Sequence, residues 1–365
     1  MLEAYLVAVG TVCGISGALA LLIVIADATI ANYGDCKITI NEEKDVVVDG
    51  GKTLLSSLKD EEIFIPSACG GRGSCGLCKC KVTAGGGDIL PTELPWLSKE
   101  EKAEMVRLSC QLKVKGDMDI TIPEELFNVR QFEVEVGQLE DLTHDIKGVS
   151  LNLPEPMDFV AGQFVQIEIP PYELTDEPVF RAYSVATCPN LCNCVQLEIK
   201  LVPDGLCTTY IHKHLKEGDK LTITGPYGDF FLRETDSNIL FIATGSGMAP
   251  IRAILQQMKK DGIKRKARYF FGARYHKDLF HLDEMEMYEK ELEDFKFTPI
   301  LSRPEKEASW QGEVGRVTDL CEKYVEESDN LEVYLCGAPI VIDSCVEVLK
   351  KKGIPEDKFY YDKFS

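Results

Sequence analysis

Ser67-Ala68-Cys69-Gly70-Gly71-Arg72-Gly73-Ser74-Cys75-Gly76-Leu77-Cys78 decides how this chain is read. Cys69, Cys75 and Cys78 follow a C-x5-C-x2-C spacing, and Cys110 comes after 31 intervening residues. Four thiolates are the donor set of a [2Fe–2S] cluster. The interleaved glycines let backbone N–H groups turn toward anionic sulfides. Zinc sites more often present two compact Cys pairs around short knuckles. Here three donors share one glycine-rich loop and the fourth is distant. Disulfides are the remaining option, disfavoured if the loop faces the cytoplasm. The spacing has one residue more than the plant-type C-x4-C-x2-C. Cys80 alternates with Cys78 along an expected strand and is left out of the set.

The rest of the chain sets the frame. Its 365 residues suggest two or three domains, at about 150 residues each. Hydrophobic residues make up 45% and charged residues 27%, which excludes global disorder or a collagen-like chain. The net charge of −20 repels phosphate backbones and argues against a nucleic-acid partner. Fourteen cysteines in a long chain call for a metal, redox or compartment explanation.

Ala4 to Ala26 contains no charged residue. As a helix it would be about 34 Å long, against a hydrocarbon core of about 30 Å. A membrane anchor is expected over residues 1–33. A cleaved signal lacks support, because no basic n-region precedes the run; a buried core helix is the other alternative. Gly10, Gly14 and Ala18 would let a second helix approach closely, although glycine is also simply common in membrane helices. Lys37 and Lys44 follow the run and no Lys or Arg precedes it, so the remainder is expected in the cytoplasm.

Three modules follow. In residues 34–128, strand-like runs at Cys36–Ile40, Val46–Val48, Cys78–Val82, Leu112–Val114 and Asp119–Ile122 and a helix at Lys52–Leu58 read as a small mixed sheet around the cysteine loop. In residues 129–233, short strands at Gln131–Val136, Gly148–Leu153, Phe164–Ile169, Ala182–Ala186, Val195–Val202 and Lys220–Thr224 suggest an antiparallel barrel. In residues 234–365, strands at Ile239–Ala243, Arg268–Phe271 and Leu331–Leu335 alternate with helices at Pro250–Lys260, Leu279–Leu292 and Ile340–Lys351. That alternation argues for a doubly wound parallel sheet.

Motifs in the last two modules carry nucleotide chemistry. In Arg181-Ala182-Tyr183-Ser184 the Arg offers a planar cation to a phosphate, the Tyr an aromatic face and the Ser a hydrogen bond. Gly205-Leu206-Cys207-Thr208-Thr209-Tyr210 is a Gly-led turn opening a helix, suited to a pyrophosphate. Ala243-Thr244-Gly245-Ser246-Gly247-Met248-Ala249-Pro250 places two glycines between a strand and a helix, weak alone but fitting a dinucleotide in this context. Phe271-Gly272-Ala273-Arg274 ends the next strand, where a ribose or phosphate would lie. Arg181 as a plain surface cation and Cys336 as a buried structural thiol are the bland alternatives. The five histidines form no recognisable ligand set.

The cysteine loop resembles that of the F subunits of the sodium-translocating NADH:quinone reductases. The same family is resembled by Gly85-Gly86-Gly87-Asp88-Ile89-Leu90-Pro91-Thr92-Glu93-Leu94, by Arg107-Leu108-Ser109-Cys110-Gln111-Leu112 and by Gly116-Asp117-Met118-Asp119 leading to Ile122-Pro123-Glu124-Glu125. The likeness runs along essentially the whole chain. Arg181–Ser184 and Leu335-Cys336-Gly337-Ala338-Pro339 are similar to the R-x-Y-S and C-G-x-P motifs of the ferredoxin–NADP reductase superfamily. Gly225-Pro226-Tyr227-Gly228-Asp229-Phe230-Phe231 is similar to its flavin-closing segment.

The resemblance implies one N-terminal transmembrane helix, an α+β β-grasp ferredoxin domain, an antiparallel β-barrel FAD domain and an α/β doubly wound NAD domain. Its implied cofactors are a 2Fe-2S cluster, FAD and NADH. Cys69, Cys75, Cys78 and Cys110 would hold the cluster. Arg181, Tyr183, Ser184, Gly205, Cys207, Thr208, Thr209 and Gly228 would bind flavin, and Thr244, Gly245, Gly247, Met248, Arg274, Cys336 and Gly337 nicotinamide dinucleotide. Ser184, Cys336 and a terminal aromatic, Phe364, would stand at the reaction centre. The implied partners are membrane subunits of one complex that reduces ubiquinone and moves sodium across a cell inner membrane, with the soluble domains cytoplasmic. An oxygenase reductase shares the three modules, and a non-catalytic membrane scaffold with structural zinc is a reading of another class. Cys188, Cys192 and Cys194 form a trio outside the family's pattern; metal binding is one reading, and an incidental thiol-rich hairpin is the one preferred. The loop from Pro170 to Glu177 is shorter than in typical members.

Overall fold

A computed structural model of the chain describes residues 2–30, 33–190, 193–304, 310–326 and 330–364. It divides into two compact units, 1–65 with 71–128, and 66–70 with 129–365.

The first unit begins with helix α1 (Leu2–Ile30), whose described apolar side chains, among them Val12, Ile15, Leu19 and Leu22, are exposed. Among the described residues no helix is long and apolar enough to cross a membrane, so the expected span is not borne out by the structure.

A five-stranded mixed sheet follows. Its elements are β1 (Asp35–Ile40), β2 (Lys44–Asp49), α2 (Leu54–Asp60), β3 (Lys79–Ala84), α3 (Lys99–Ala103), β4 (Val106–Leu108) and β5 (Met118–Thr121), in the strand order β2-β1-β5-β3-β4. Alternation in β1 buries Cys36, Ile38 and Ile40 against Leu54 and Leu58 of α2. Thr53 caps α2 by accepting from the Ser56 amide at 3.2 Å, which satisfies one of the helix's free donors. The expected strand at Leu112–Val114 is not one. Its Leu112 carbonyl accepts from the Leu54 amide at 2.7 Å and its Val114 amide donates to Lys52 at 3.0 Å, so it serves the start of α2.

Arg107 and Glu93, 1% and 0% exposed, form a buried ion pair. Arg107 donates through Nε and Nη2 to the carboxylate and through Nη1 to the Gly86 and Gly87 carbonyls. Glu93 also accepts from the Leu108 amide at 2.8 Å. One ion pair thus fixes the Gly85–Glu93 loop to the strand that leads into Cys110.

In the second unit an antiparallel sheet comprises β6 (Arg130–Asp141), β7 (Ile146–Asn152), β8 (Phe164–Ile169), β9 (Val179–Ser184), β10 (Cys194–Lys200) and, after helix α4 (Leu206–Lys213), β11 (Lys220–Tyr227). The order is β10-β7-β6-β11-β8-β9. The sheet curls until Val185, just past one edge strand, bridges to Leu197 of the other. Val165, Ile167, Leu197 and Ile199 fill its interior.

The parallel sheet contains β12 (Asn238–Thr244), α5 (Met248–Asp261), β13 (Ala267–Ala273), α6 (Leu282–Glu291), β14 (Phe295–Leu301), β15 (Glu313–Val314), α7 (Val317–Tyr324), β16 (Leu331–Gly337), α8 (Pro339–Lys351) and β17 (Phe359–Lys363). Its order is β15-β14-β13-β12-β16-β17. Separate cores lie on its two faces, and every residue of β16 is buried, as a parallel strand covered on both sides requires. The chain runs outward from β12 in one direction and returns to β16 on its other side. The strand order therefore reverses between β12 and β16, and ligands of such sheets bind at that crevice. β14, α7 and β17 carry no expectation from the sequence, and the helix expected from Leu279 begins only at Leu282.

Glu93→Ala leaves the Arg107 charge buried without its counter-ion and is expected to destabilise the first unit by about 3–5 kcal/mol. Denaturant unfolding of the full chain, followed by far-ultraviolet circular dichroism, measures this; an unchanged first transition contradicts it.

Candidate active site

The two halves of the second unit bring the expected reaction-centre residues together through a group that sequence reasoning missed. Ser184, the last residue of β9, donates from Oγ to Asp362 Oδ2 at 3.2 Å. Asp362 lies on β17 directly opposite Cys336 of β16 in the parallel register. Ser184, Asp362 and Cys336 thus converge from three strands. Burial pushes the Asp362 carboxyl up to about 6, against the pull of Ser184 and with a push from Asp229. Burial also raises the Cys336 thiol well above its ordinary value, with Asp362 and Glu198 adding to the effect. At neutral pH Cys336 is a neutral, polarisable thiol rather than a nucleophilic thiolate. Phe364 follows, its amide donating to the Gly337 carbonyl at 2.9 Å and its ring half-buried against the parallel-sheet core.

The switch-point glycines meet here too. A Cβ on Gly247 would come within 2.3 Å of the Cys336 carbonyl, and one on Gly337 (φ +139°) within 2.7 Å of Thr244 Oγ1. Only glycine permits that approach of turn to strand end. Thr244, Gly245 and Gly247 lead into the fourteen-residue helix α5, whose Met248 is buried. Lys200 of β10, which the sequence reading passed over, has its Nζ 3.7 Å from where a Gly245 Cβ would lie. It adds a cation beside the helix N-terminus and pairs with Asp145 at 3.1 Å. Arg274 follows β13 at the surface and accepts at its carbonyl from the Arg303 amide at 2.8 Å.

On the curled sheet, Arg181 and Tyr183 share β9 with Ser184, and α4 starts at Gly205. Thr208 and Thr209 are buried on its first turns. Cys207 is buried beside Tyr183, and burial pushes its thiol up to about 11. The hydroxyls of Tyr183 and Tyr227 are buried with no hydrogen-bond partner among the described residues. Such orphaned phenols, with an α4 N-terminus that has no side-chain cap and with Arg181, fit a polar ligand such as a flavin nucleotide. Gly228, at φ +95°, follows Tyr227.

In the first unit the Cys78 thiol lies close to Cys110, which raises it together with burial, and Cys75 is near enough to add to the effect. Gln111 Nε2 donates to Cys110 Sγ at 3.5 Å. Gly76 takes φ +69° and packs so closely on Trp96 that a Cβ would lie 2.9 Å from the indole. Cys69 is buried in the stretch grouped with the second unit. Among the described residues no three His, Cys, Asp or Glu side chains stand ready-made around a metal ion. The donor chemistry, thiols without carboxylates, fits an iron–sulfur cluster. Cys194 is disulfide-bonded, Cys188 is a buried free thiol and Cys192 lies outside the described residues, so the hairpin is not merely thiol-rich. A cavity of about 640 Å³ opens elsewhere, at the starts of β12, β13 and β14 beside Lys266, Arg268 and Lys296, away from the convergent strand ends.

Three family models match in succession: a 2Fe-2S iron-sulfur cluster binding domain over residues 38–115, an oxidoreductase FAD-binding domain over 133–232 and an oxidoreductase NAD-binding domain over 241–347. Among solved structures, the cytochrome P450 reductase GcoB of Amycolatopsis is similar at 27% identity and a TM-score of 0.74, covering 90% of this chain and 98% of that one. The ferredoxin reductase in carbazole 1,9a-dioxygenase is similar at 27% identity and a TM-score of 0.70, covering 91% and 98%. Fold and domains define an iron–sulfur flavoprotein oxidoreductase of the ferredoxin-reductase type.

Within that class, the relatives are more specific. The F subunit of the Na(+)-translocating NADH-quinone reductase of Neisseria meningitidis serogroup B is 38% identical, covering 95% of this chain and 96% of its own. That of Pseudoalteromonas atlantica is 35% identical over all of both chains. The chain belongs to the family of F subunits of the Na(+)-translocating NADH-quinone reductases.

Asp362 gives a signed test. Its folded-state value of about 6 lies above the ordinary 3.8. The native chain therefore holds a proton that the unfolded chain has released, and stability falls as pH rises from about 4 to about 6. Asp362→Asn is expected to remove this fall and to gain of order 2–3 kcal/mol at neutral pH. Urea unfolding across that range checks it; parallel pH curves for the two proteins contradict it.

Proposed function

We propose that the chain is the electron-entry subunit of a sodium-moving NADH:ubiquinone reductase and passes electrons from NADH to membrane subunits of the same complex. The observation that carries this reading is the convergence of Ser184, Asp362 and Cys336 at the switch point. A nicotinamide entering there between Cys336 and Ser184 would lie against the edge of a ring held by β9. The flavin supplies exchange between hydride and single electrons when bound, and the cluster a one-electron relay.

The protein's part is positional. Arg181 and the α4 N-terminus would hold the flavin's phosphates, with Thr208 and Thr209 supplying hydroxyls and Tyr183 an aromatic wall. Thr244, Gly245 and Gly247 would cradle the dinucleotide's pyrophosphate, with Met248 behind them, Lys200 above and Arg274 toward the ribose. Cys336 and Gly337 would back the nicotinamide, and Phe364 would cover the ring until it is displaced. Hydride transfer needs no general base; it needs two rings in contact with water excluded. Cys69, Cys75, Cys78 and Cys110 would hold the irons. The curled sheet is read as the flavin barrel and the mixed sheet as the β-grasp fold.

Residues 1–33 are read as a single-pass anchor in a cell inner membrane, with the rest cytoplasmic. The support is the charge-free Ala4–Ala26 run within one helix and the exposure of Val12, Ile15, Leu19 and Leu22. One charge-free span provides no ion path of its own, so sodium movement would belong to partner subunits. An oxygenase reductase is the second reading, favoured by the likeness to the two solved reductases. Deleting residues 1–33 separates them: NADH–ferricyanide activity is expected to remain while quinone reduction in membranes is lost. Quinone reduction surviving the deletion favours the second reading.

Anaerobic titration with NADH, followed by absorbance and electron paramagnetic resonance, tests the core of the reading. Flavin bleaching and a reduced [2Fe–2S] signal are expected, and Cys78→Ser is expected to abolish the signal while flavin bleaching persists. A colourless protein free of iron and acid-labile sulfide would overturn it.

A further inference from the structure

A second group of ionisable side chains joins the two halves of the second unit. Glu198 projects from β10 with its side chain 2% exposed. Its Oε1 accepts from His281 Nε2 at 2.9 Å, while its Oε2 has no partner among the described residues. His281 precedes α6 in the left-handed region, at φ 55°. A histidine held there persists only where its surroundings dictate it.

The neighbouring charges are spoken for. Arg252 of α5 gives Nε to Glu284 Oε2 at 2.7 Å and Nη1 to Gln196 Oε1 and the Ala186 carbonyl; it stands only 4.0 Å from Glu198. Glu284 of α6 also accepts from the Tyr288 hydroxyl at 2.8 Å. Burial pushes the Glu284 carboxyl up, but Arg252 holds it below its ordinary value. His281 Nδ1 lies 3.8 Å from Glu284.

Two carboxylates, Glu198 and Glu284, share one guanidinium, and Arg252 bonds Glu284 while standing 4.0 Å from Glu198. His281 Nε2 is therefore the hydrogen-bond partner that Glu198 relies on, its other oxygen being orphaned among the described residues. Loss of that bond would leave a buried carboxyl unsatisfied. The remaining groups facing Glu198 are the Tyr269 phenol of β13 and the Cys336 thiol of β16. Burial first and then the Glu198 charge push Tyr269 upward, and at Cys336 Glu198 adds to burial and Asp362, so this carboxylate is felt at the strand end that carries Cys336.

We propose that Glu198 and His281 are positioning residues for hydride transfer: their hydrogen bond fixes the curled sheet against α5 and α6 and so keeps Cys336 in register with Ser184. This rests on the proposed function. Small misplacements of reacting groups cost about 10- to 100-fold in rate, and that is the loss expected when the bond is removed.

The experiment uses the cofactor-loaded full chain in anaerobic stopped flow over a range of NADH concentrations. His281→Ala and Glu198→Ala should each bleach the flavin about 10- to 100-fold more slowly at saturating NADH, with KM for NADH little changed, and the double substitution should be no slower than either alone. The isosteric Glu198→Gln, which keeps an acceptor for His281 Nε2, should recover most of the rate. An unchanged limiting rate in either alanine variant, a loss seen only in KM, or additive losses in the double variant overturns the proposal. Failure of NADH to bleach the unaltered protein refutes the proposed function instead.

Discussion

The hydrogen bond from Ser184 to Asp362 is the constraint on which the site depends. It joins the last residue of a curled-sheet strand to the outermost strand of the parallel sheet. Asp362 is half-buried at a point where an ionised carboxylate is disfavoured, so its placement there has to be enforced by packing. The enforcement is visible. Tyr360, two residues earlier, stacks on Tyr334 with ring centroids 4.9 Å apart and lies under the Arg233 guanidinium. Phe364, two residues later, bonds back to Gly337. The final strand is therefore held on both sides of the carboxyl it presents.

The same economy of backbone governs the switch point. The turn at Gly247 touches the end of β16 so closely that no side chain fits. This compresses Thr244, Cys336 and Gly337 into one crevice. A dinucleotide entering it would meet backbone amides, a helix N-terminus and Lys200, all favourable to phosphate. A chain with a net charge of −20 needs such local cations to admit an anionic substrate.

Much of this was legible before any coordinates. The cysteine loop, R-x-Y-S, the strand–glycine–helix turn and C-G-x-P each combine residue types whose chemistry and local geometry are inseparable. What escaped had weaker local signatures. β14 contains Pro299 and an alternating Phe-Lys-Phe-Thr run that does not read as a buried parallel strand, so it and α7 were not foreseen. Leu112–Val114 has strand composition, yet its backbone bonds are taken by the start of α2. Asp362 was overlooked between aromatic residues, because nothing local signals that a carboxylate there meets a serine 178 positions away. Lys200 and Glu198 read as the polar face of a strand. Only the packing of the two halves gives that face a purpose.

The most direct measurement of the central claim is the deuterium isotope effect on anaerobic flavin bleaching by NADH labelled at nicotinamide C4. It should be compared between the unaltered chain and Cys336→Ala. If hydride crosses at the Cys336–Ser184 crevice, the variant will bleach more slowly and with a larger isotope effect, because transfer itself has become limiting. Equal rates and equal isotope effects in the two proteins would contradict the account.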